Sequence, residues 1–177
     1  LAFCLKMLEY LYYMRYVNIM ETPQFHADNL ANLLHERTIA TMDELKAALK
    51  TDVYVTVLRK MKQLGYIKSY SHRGKYYSLA ELARFDENGL WQFGPARFSA
   101  YGTLLATLEV LVDRSDAGYY CDELEHLLGV STKESLLRLF RKEKVARETF
   151  GGRYLYCSSD PDECARQLSL RRAFLSE

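Results

Sequence analysis

The chain has 177 residues, of which 49% are hydrophobic and 27% charged, with a formal net charge of +1 at pH 7. That length suits one or two domains and that apolar content supports packed cores, while a balance so close to neutral names no partner by itself. Cys4, Cys121, Cys157 and Cys164 contain no C-x-x-C pair, and His26, His35, His72 and His126 stand at no ligand spacing to them. Zinc is therefore not expected, and buried or free thiols in a reducing cytoplasm are. No phosphate-loop, dinucleotide, nucleophile-elbow or zinc-protease motif occurs, so nothing proposes an enzyme or a cofactor.

Residues 1–24 form an N-terminal extension that begins LAFCLKMLEYLYYMRYVNI. Lys6, Glu9 and Arg15 interrupt it, whereas a membrane span needs about 20 largely uncharged apolar residues. A basic leader and a small-residue cleavage site, the marks of a signal peptide, are also missing from it. The stretch is expected to be either upstream sequence at a fragment boundary or an amphipathic helix packing on its own domain or a partner.

From Phe25 to Arg37 the spacing of Leu30, Leu33 and Leu34 predicts a helix. A short β piece, Thr38-Ile39-Ala40, leads to Thr41-x-x-Glu44, a capping box for a second helix whose apolar side is Leu45, Ala48 and Leu49. After Lys50-Thr51-Asp52, a third helix carries Tyr54, Val57, Leu58, Met61 and Leu64 on one stripe, with Thr51 or Asp52 as its cap and Gly65 as its stop. Tyr66–Tyr70 and Tyr76–Leu79 read as strands around a basic turn, His72-Arg73-Gly74-Lys75.

Residues 80–101 are expected to be a structured connector rather than a flexible linker. They hold Leu82, Phe85, Leu90, Trp91, Phe93, Phe98 and Tyr101, an apolar load that solvated linkers lack. They should fold between the flanking units and fix their orientation, with core packing favoured over a base-stacking role for the aromatics.

Between Gly102 and Cys157 the whole pattern returns. A shift of 79 residues places Asp43-Glu44-Leu45 on Asp122-Glu123-Leu124, Leu49 on Leu128, and Val57, Leu58 and Met61 on Leu136, Leu137 and Phe140. Arg59, Lys62 and Lys68 meet Arg138, Arg141 and Arg147, and one residue is lost at the hairpin tip before Gly74-Lys75-Tyr76 meets Gly152-Arg153-Tyr154. Gly102–Ser115 is the first helix of this copy, Gly118-Tyr119-Tyr120 replaces the short β piece, and Ser131-x-x-Glu134 reads as the capping box of its third helix. Leu58 and Leu137 are expected to be core positions. Beyond 157, Asp160-Pro161-Asp162-Glu163 is a strong helix start, and Cys164, Leu168 and Leu175 lie near one face of that helix. The expected class is α+β, mostly helical, with two like units at 25–79 and 102–157 and a C-terminal helix in 158–177.

Positive charge gathers on the third helix and hairpin of each copy. Six Lys/Arg face one acid from Asp52 to Leu79, and seven face three from Ser131 to Arg153. A solvated helix face explains most charge runs, but recurrence in both copies favours a functional one.

With Leu58-x-x-Met61-x-x-x-Gly65-x-Ile67 followed by His72-Arg73-Gly74-Lys75-Tyr76-Tyr77, the first unit resembles the winged helix-turn-helix of bacterial transcription regulators. The stretch from Gly89-Leu90-Trp91 through Phe98-x-x-x-Gly102-Thr103-Leu104 to Gly152-Arg153-Tyr154-Leu155 resembles, more faintly, small two-unit proteins found with transposases. The resemblance implies sequence-preferring binding of double-stranded DNA, cytoplasmic and nucleoid-associated, with a homodimer or a transposase as further partners and no membrane. It also implies that the third helix enters the major groove and that the hairpin meets backbone or minor groove. In unit two, Thr132, Lys133, Ser135 and Arg138 are then the groove candidates, with Arg141 and Arg153 on phosphates. In unit one, Thr56, Arg59 and Lys62 face the groove or its rim, with Arg73 and Lys75 on phosphates. Asp52 to Val55 depart from the pattern, being poor groups for phosphate and uncommon base readers, so unit two is expected to supply most sequence preference. Two rivals stand beside this reading: a winged-helix protein-interaction module of the chromosome-organising kind, and the DNA-recognition arm of a longer enzyme.

Overall fold

Thr41 fixes the start of the helix Met42–Leu49 by local chemistry alone. Its backbone N–H donates to Glu44 Oε2 at 2.7 Å while its own Oγ1 accepts from Glu44 N–H at 3.4 Å, which completes the expected capping box. The Thr41 N–H first, and then its hydroxyl, which also donates to Glu44 Oε2 at 2.8 Å, hold the Glu44 carboxyl below its usual range. The computed structural model describes residues 26–174. The expectations placed on residues 1–24, Phe25 and Leu175 lie outside it.

The class is α+β with small antiparallel sheets. Helix α1 (Ala27–Arg37), strand β1 (Ala40–Thr41), helices α2 (Met42–Leu49) and α3 (Tyr54–Leu64), and strands β2 (Tyr66–Lys68) and β3 (Tyr76–Leu79) follow in order. After a hairpin of β4 (Leu90–Phe93) and β5 (Ala96–Ser99), the order repeats as α4 (Leu104–Arg114), β6 (Tyr119–Tyr120), α5 (Cys121–Leu128), α6 (Lys133–Arg141), β7 (Val145–Phe150) and β8 (Arg153–Ser158). Helix α7 (Pro161–Phe174) ends the described chain. The two three-stranded sheets have the same strand order, β1-β3-β2 and β6-β8-β7, so each copy's last strand lies between its first and second.

Alternation along these strands lets each sheet serve two cores. In unit one, Tyr77 and Leu79 face the helices and join Leu30, Leu34, Leu45, Leu49, Val57 and Met61. Ile67 and Tyr76 face the other way, onto Trp91, Ala96 and Phe98 of the β4–β5 hairpin, where the Trp91 and Phe98 rings stack at 4.9 Å. In unit two, Tyr156 joins Leu108, Leu111, Val112, Leu124, Leu128, Leu136 and Leu139, while α7 covers the far side of β8.

The connector is ordered, as expected, but it is a hairpin divided between its neighbours. Leu90 lies in the core of unit two and the next residue, Trp91, in the cluster backing unit one. Tyr70 crosses in the other direction: its hydroxyl donates to Leu128 O at 3.1 Å, its ring packs on the unit-two core, and its N–H donates to Arg97 O at 2.9 Å. Burial raises the Tyr70 hydroxyl pKa. Tyr70 thus leaves the strand it was expected to end, and β2 stops at Lys68.

Several local expectations are corrected. Leu58 is only half-buried, though it does pack against the unit-one core, and Leu137 is half-buried outside the unit-two cluster; in α6 the core takes Leu136 and Leu139, so its buried face is turned relative to α3, where the core takes Val57 and Met61. Neither Thr51 nor Asp52 caps α3: Val53 stands at that position with no side-chain cap, and Thr51 Oγ1 accepts only the Val53 N–H, at 3.2 Å. Ser131-x-x-Glu134 is not a capping box, because α6 starts one residue later with Thr132 as its N-cap. Glu125 of α5 does that work instead, accepting from Thr132 N–H at 2.9 Å and Ser131 Oγ at 3.0 Å, and these donors lower its pKa.

Cys157 and Cys164 form a disulfide between β8 and the first turn of α7, with Cα atoms 5.2 Å apart, which overturns free thiols for this pair. Cys121 remains a thiol, half-buried. Asp160 caps α7 as its sequence predicts, accepting from Asp162 and Glu163 N–H groups at 2.9 and 3.1 Å. Two side chains of α7 carry more than was read from them. Gln167 is fully buried and bonded at both ends of its amide, and Arg171 reaches both oxygens of Glu123 at 2.9 Å and the carbonyls of Ala117 and Gly118.

Candidate nucleic-acid interface

Because Val57 and Met61 turn inward, the opposite side of α3 must face solvent. Residues spaced by four and three share a side, so Val55, Arg59 and Lys62 form one outward line with Thr56 beside it. Val55, Arg59 and Lys62 are exposed and Thr56 is half-buried. The corresponding line on α6 is Glu134, Arg138 and Arg141, all exposed, with half-buried Ser135 beside it. Position for position the two helices match in Thr56 and Ser135, Arg59 and Arg138, Lys62 and Arg141; they differ at Val55 and Glu134.

The hairpin tip of unit one is built to present its cations. His72, Arg73 and Gly74 take positive φ of 50°, 55° and 72°, an arrangement costing roughly 1–2 kcal/mol per non-glycine residue. Buried serines brace it: Ser69 Oγ donates to Ser71 O at 3.2 Å and accepts from Tyr76 N–H at 3.2 Å, while Ser71 Oγ accepts from Arg97 N–H at 3.0 Å. A Cβ on Gly74 would run into the Lys68 side chain. Arg73 and Lys75 are consequently held outward, Lys75 with its ammonium 5.9 Å from the Tyr76 ring. Sequence reasoning missed the bracing serines and Arg97, since small polar residues in a turn carry no signal of what they hold.

Electrostatics divide the two copies. Arg59, Lys60, Lys62, Lys68, Arg73 and Lys75 make no ion pair among the described residues, which leaves six cations of unit one uncompensated. In unit two, Lys144 pairs with Glu109 at 3.4 Å and Arg153 with Asp122. Arg147 is held between the Phe140 and Tyr154 rings, at 4.3 and 4.1 Å. Lys133, Arg138, Arg141 and Lys142 have no acidic partner among the described residues.

Two of the sequence candidates change role. Thr132 is fully buried, its Oγ1 donating to Cys121 O at 3.4 Å, so it stabilises the α5–α6 turn and has no access to a base. The signal for this was Glu125, whose reach across the turn draws Thr132 inward. Arg153 is exposed but committed, paired with Asp122 and set 4.1 Å over the Tyr120 ring. The remaining candidates, Thr56, Arg59, Lys62, Arg73, Lys75, Lys133, Ser135, Arg138 and Arg141, lie on the helices and hairpin to which they were assigned, none of them buried.

Among the described residues no three His, Cys, Asp or Glu side chains converge as metal ligands, and no helix is long and apolar enough to cross a membrane. Comparison with protein-family models, with curated proteins and with solved structures gave no match to this chain.

Proposed function

We propose that the chain is a pair of winged helices, at 25–79 and 102–157, that binds double-stranded DNA with sequence preference, as a transcriptional regulator or a transposition-associated protein of the nucleoid. The observation that carries this reading is the repeated outward line: two like units present a hydroxyl and two cations at matching positions of the same helix, and none of these four cations makes an ion pair among the described residues, although Glu134 shares the line in unit two. Uncompensated cations on one helix face and one hairpin are the electrostatic footprint of a polyanion partner. In this reading α3 and α6 enter major grooves, and the β2–β3 turn carries Arg73 and Lys75 to phosphates.

Binding to random duplex DNA, titrated against salt, tests the proposal. Affinity should fall steeply as salt rises, and replacing Arg73 and Lys75 by Ala should weaken binding to all duplexes alike and flatten the log–log slope by about one unit per lost phosphate contact. Arg138→Ala behaves differently if its guanidinium reads guanine O6 and N7. It should lose about 1–3 kcal/mol on a selected site and much less on random DNA, as measured by competition binding. Equal losses on both DNAs would make Arg138 a phosphate contact.

A protein-interaction module is the second reading, and one observation favours it: Val53, Tyr54 and Val55, at the start of α3, are 56%, 45% and 70% exposed. Salt-independent behaviour, with no DNA retained, would bring it to the front.

A further inference from the structure

The exposed apolar turn at the head of α3 needs an occupant. Of its three residues Tyr54 is drawn back onto its own unit, where burial first and the Tyr54 contact second push the Tyr77 hydroxyl up to about 12. Val55 has no such attachment and is 70% exposed, the most open of the large apolar side chains among the described residues. It heads the line that continues through Arg59 and Lys62, four and seven residues on, with Arg73 on the adjoining hairpin. An apolar protein surface would leave those cations unanswered, whereas a duplex supplies phosphates for them. Within the major groove the one apolar group that a base presents is the C5-methyl of thymine.

Building on the DNA reading above, we infer that unit one recognises thymine through its methyl group, with Val55 as the contacting side chain and Arg59 and Lys62 anchoring the flanking backbone. The first residues of a groove-entering helix are those that reach base edges, and Val55 is in that turn. Polarity alone assigns no base contact at this turn, because a methyl is met by an apolar surface and not by a donor. Unit two departs at this one position: Glu134 stands where Val55 does, and a carboxylate accepts from the amino group of cytosine and offers nothing to a methyl. The two units therefore read different bases although their cations match, and the thymine contact belongs to unit one.

Replacing thymine by uracil removes only the methyl, so the DNA itself supplies the decisive variant. Duplexes recovered by the full chain from a random-sequence pool are resynthesised with deoxyuridine at each thymidine in turn. At one position uracil should weaken binding about fourfold, the effect of one buried methyl group, and 5-methylcytosine at that strand position should lose less than cytosine. Val55→Ser should abolish the thymine–uracil difference and leave the salt slope unchanged, its fold checked by an unaltered thermal melt. Equal binding of thymine and uracil duplexes with the salt slope intact overturns the inference and leaves the DNA reading standing. So does a Val55→Ser protein that still prefers thymine. If no duplex is retained at any salt concentration, the DNA reading falls and the inference with it. A change in oligomeric state on Val55→Ser, without change in the thymine–uracil ratio, assigns the turn to a protein partner instead.

Discussion

Gln167→Leu should destabilise the protein by about 2–5 kcal/mol, as measured by urea denaturation monitored by circular dichroism. The side chain is fully buried, and its amide is used at both ends. Its Oε1 accepts from Ser158 N–H at 2.8 Å where β8 ends, and its Nε2 donates at 2.9 Å to Val112 O and to Ser115 O where α4 ends. Leu preserves the volume and removes every one of these bonds. Val112 O keeps the Ser115 hydroxyl as a donor at 3.1 Å, but Ser158 N–H and Ser115 O lose their bonds to the amide, and each stranded buried group costs about 1–3 kcal/mol. Gln167→Glu should not rescue, because a carboxylate can accept from Ser158 yet has nothing to donate to two carbonyls. A loss under about 0.5 kcal/mol for the Leu variant would mean that water enters and replaces the amide.

Leu136→Ala is the second large expected effect, again about 2–5 kcal/mol, the range for truncating a fully buried leucine. Leu137→Ala, one residue on, should cost about 1 kcal/mol or less, since the side chain is only half-buried and is not a member of the main cluster. The pair distinguishes two faces of α6. If Leu137 proved the costlier, the helix would be rotated, and Glu134, Arg138 and Arg141 would no longer form its outward line.

The repeated order of elements was legible because its signals are local. Thr41 and Glu44 bond within one turn, Gly65 and Gly129 stop their helices at φ of 71° and 61°, and the apolar spacing needs nothing from the rest of the chain. The outward line was legible in principle as well, as the complement of Val57 and Met61, although Arg59 and Lys62 were reached through the charge run and the resemblance. Val55 was set aside because polarity was used as the test for base contact. The connector's strands were hidden for a different reason: Leu90 and Trp91 are adjacent and both buried, so β4 lacks the alternation that marks a strand with one wet face. Ser131 and Glu134 suggested a capping box that fails by one residue, since Thr132 is the N-cap, an error that periodicity cannot detect. The bond between Cys157 and Cys164 depends on the turn that folds α7 back along β8, and a spacing of seven residues announces nothing of the kind.

Tandem copies of a domain are ordinarily separable: excise one, and its neighbour keeps a whole interior. In this chain the frontier between the two interiors passes between consecutive residues of one strand, Leu90 and Trp91. Any cut on the amino side of that strand takes from unit one the hairpin that covers its sheet, and any cut after it takes Leu90 from unit two. A single-residue slip in the register of β4 would exchange the two side chains, sending each into the wrong interior. The two copies are thus bound into one inheritance, free to diverge at Val55 and Glu134 but not to be lost or shuffled singly.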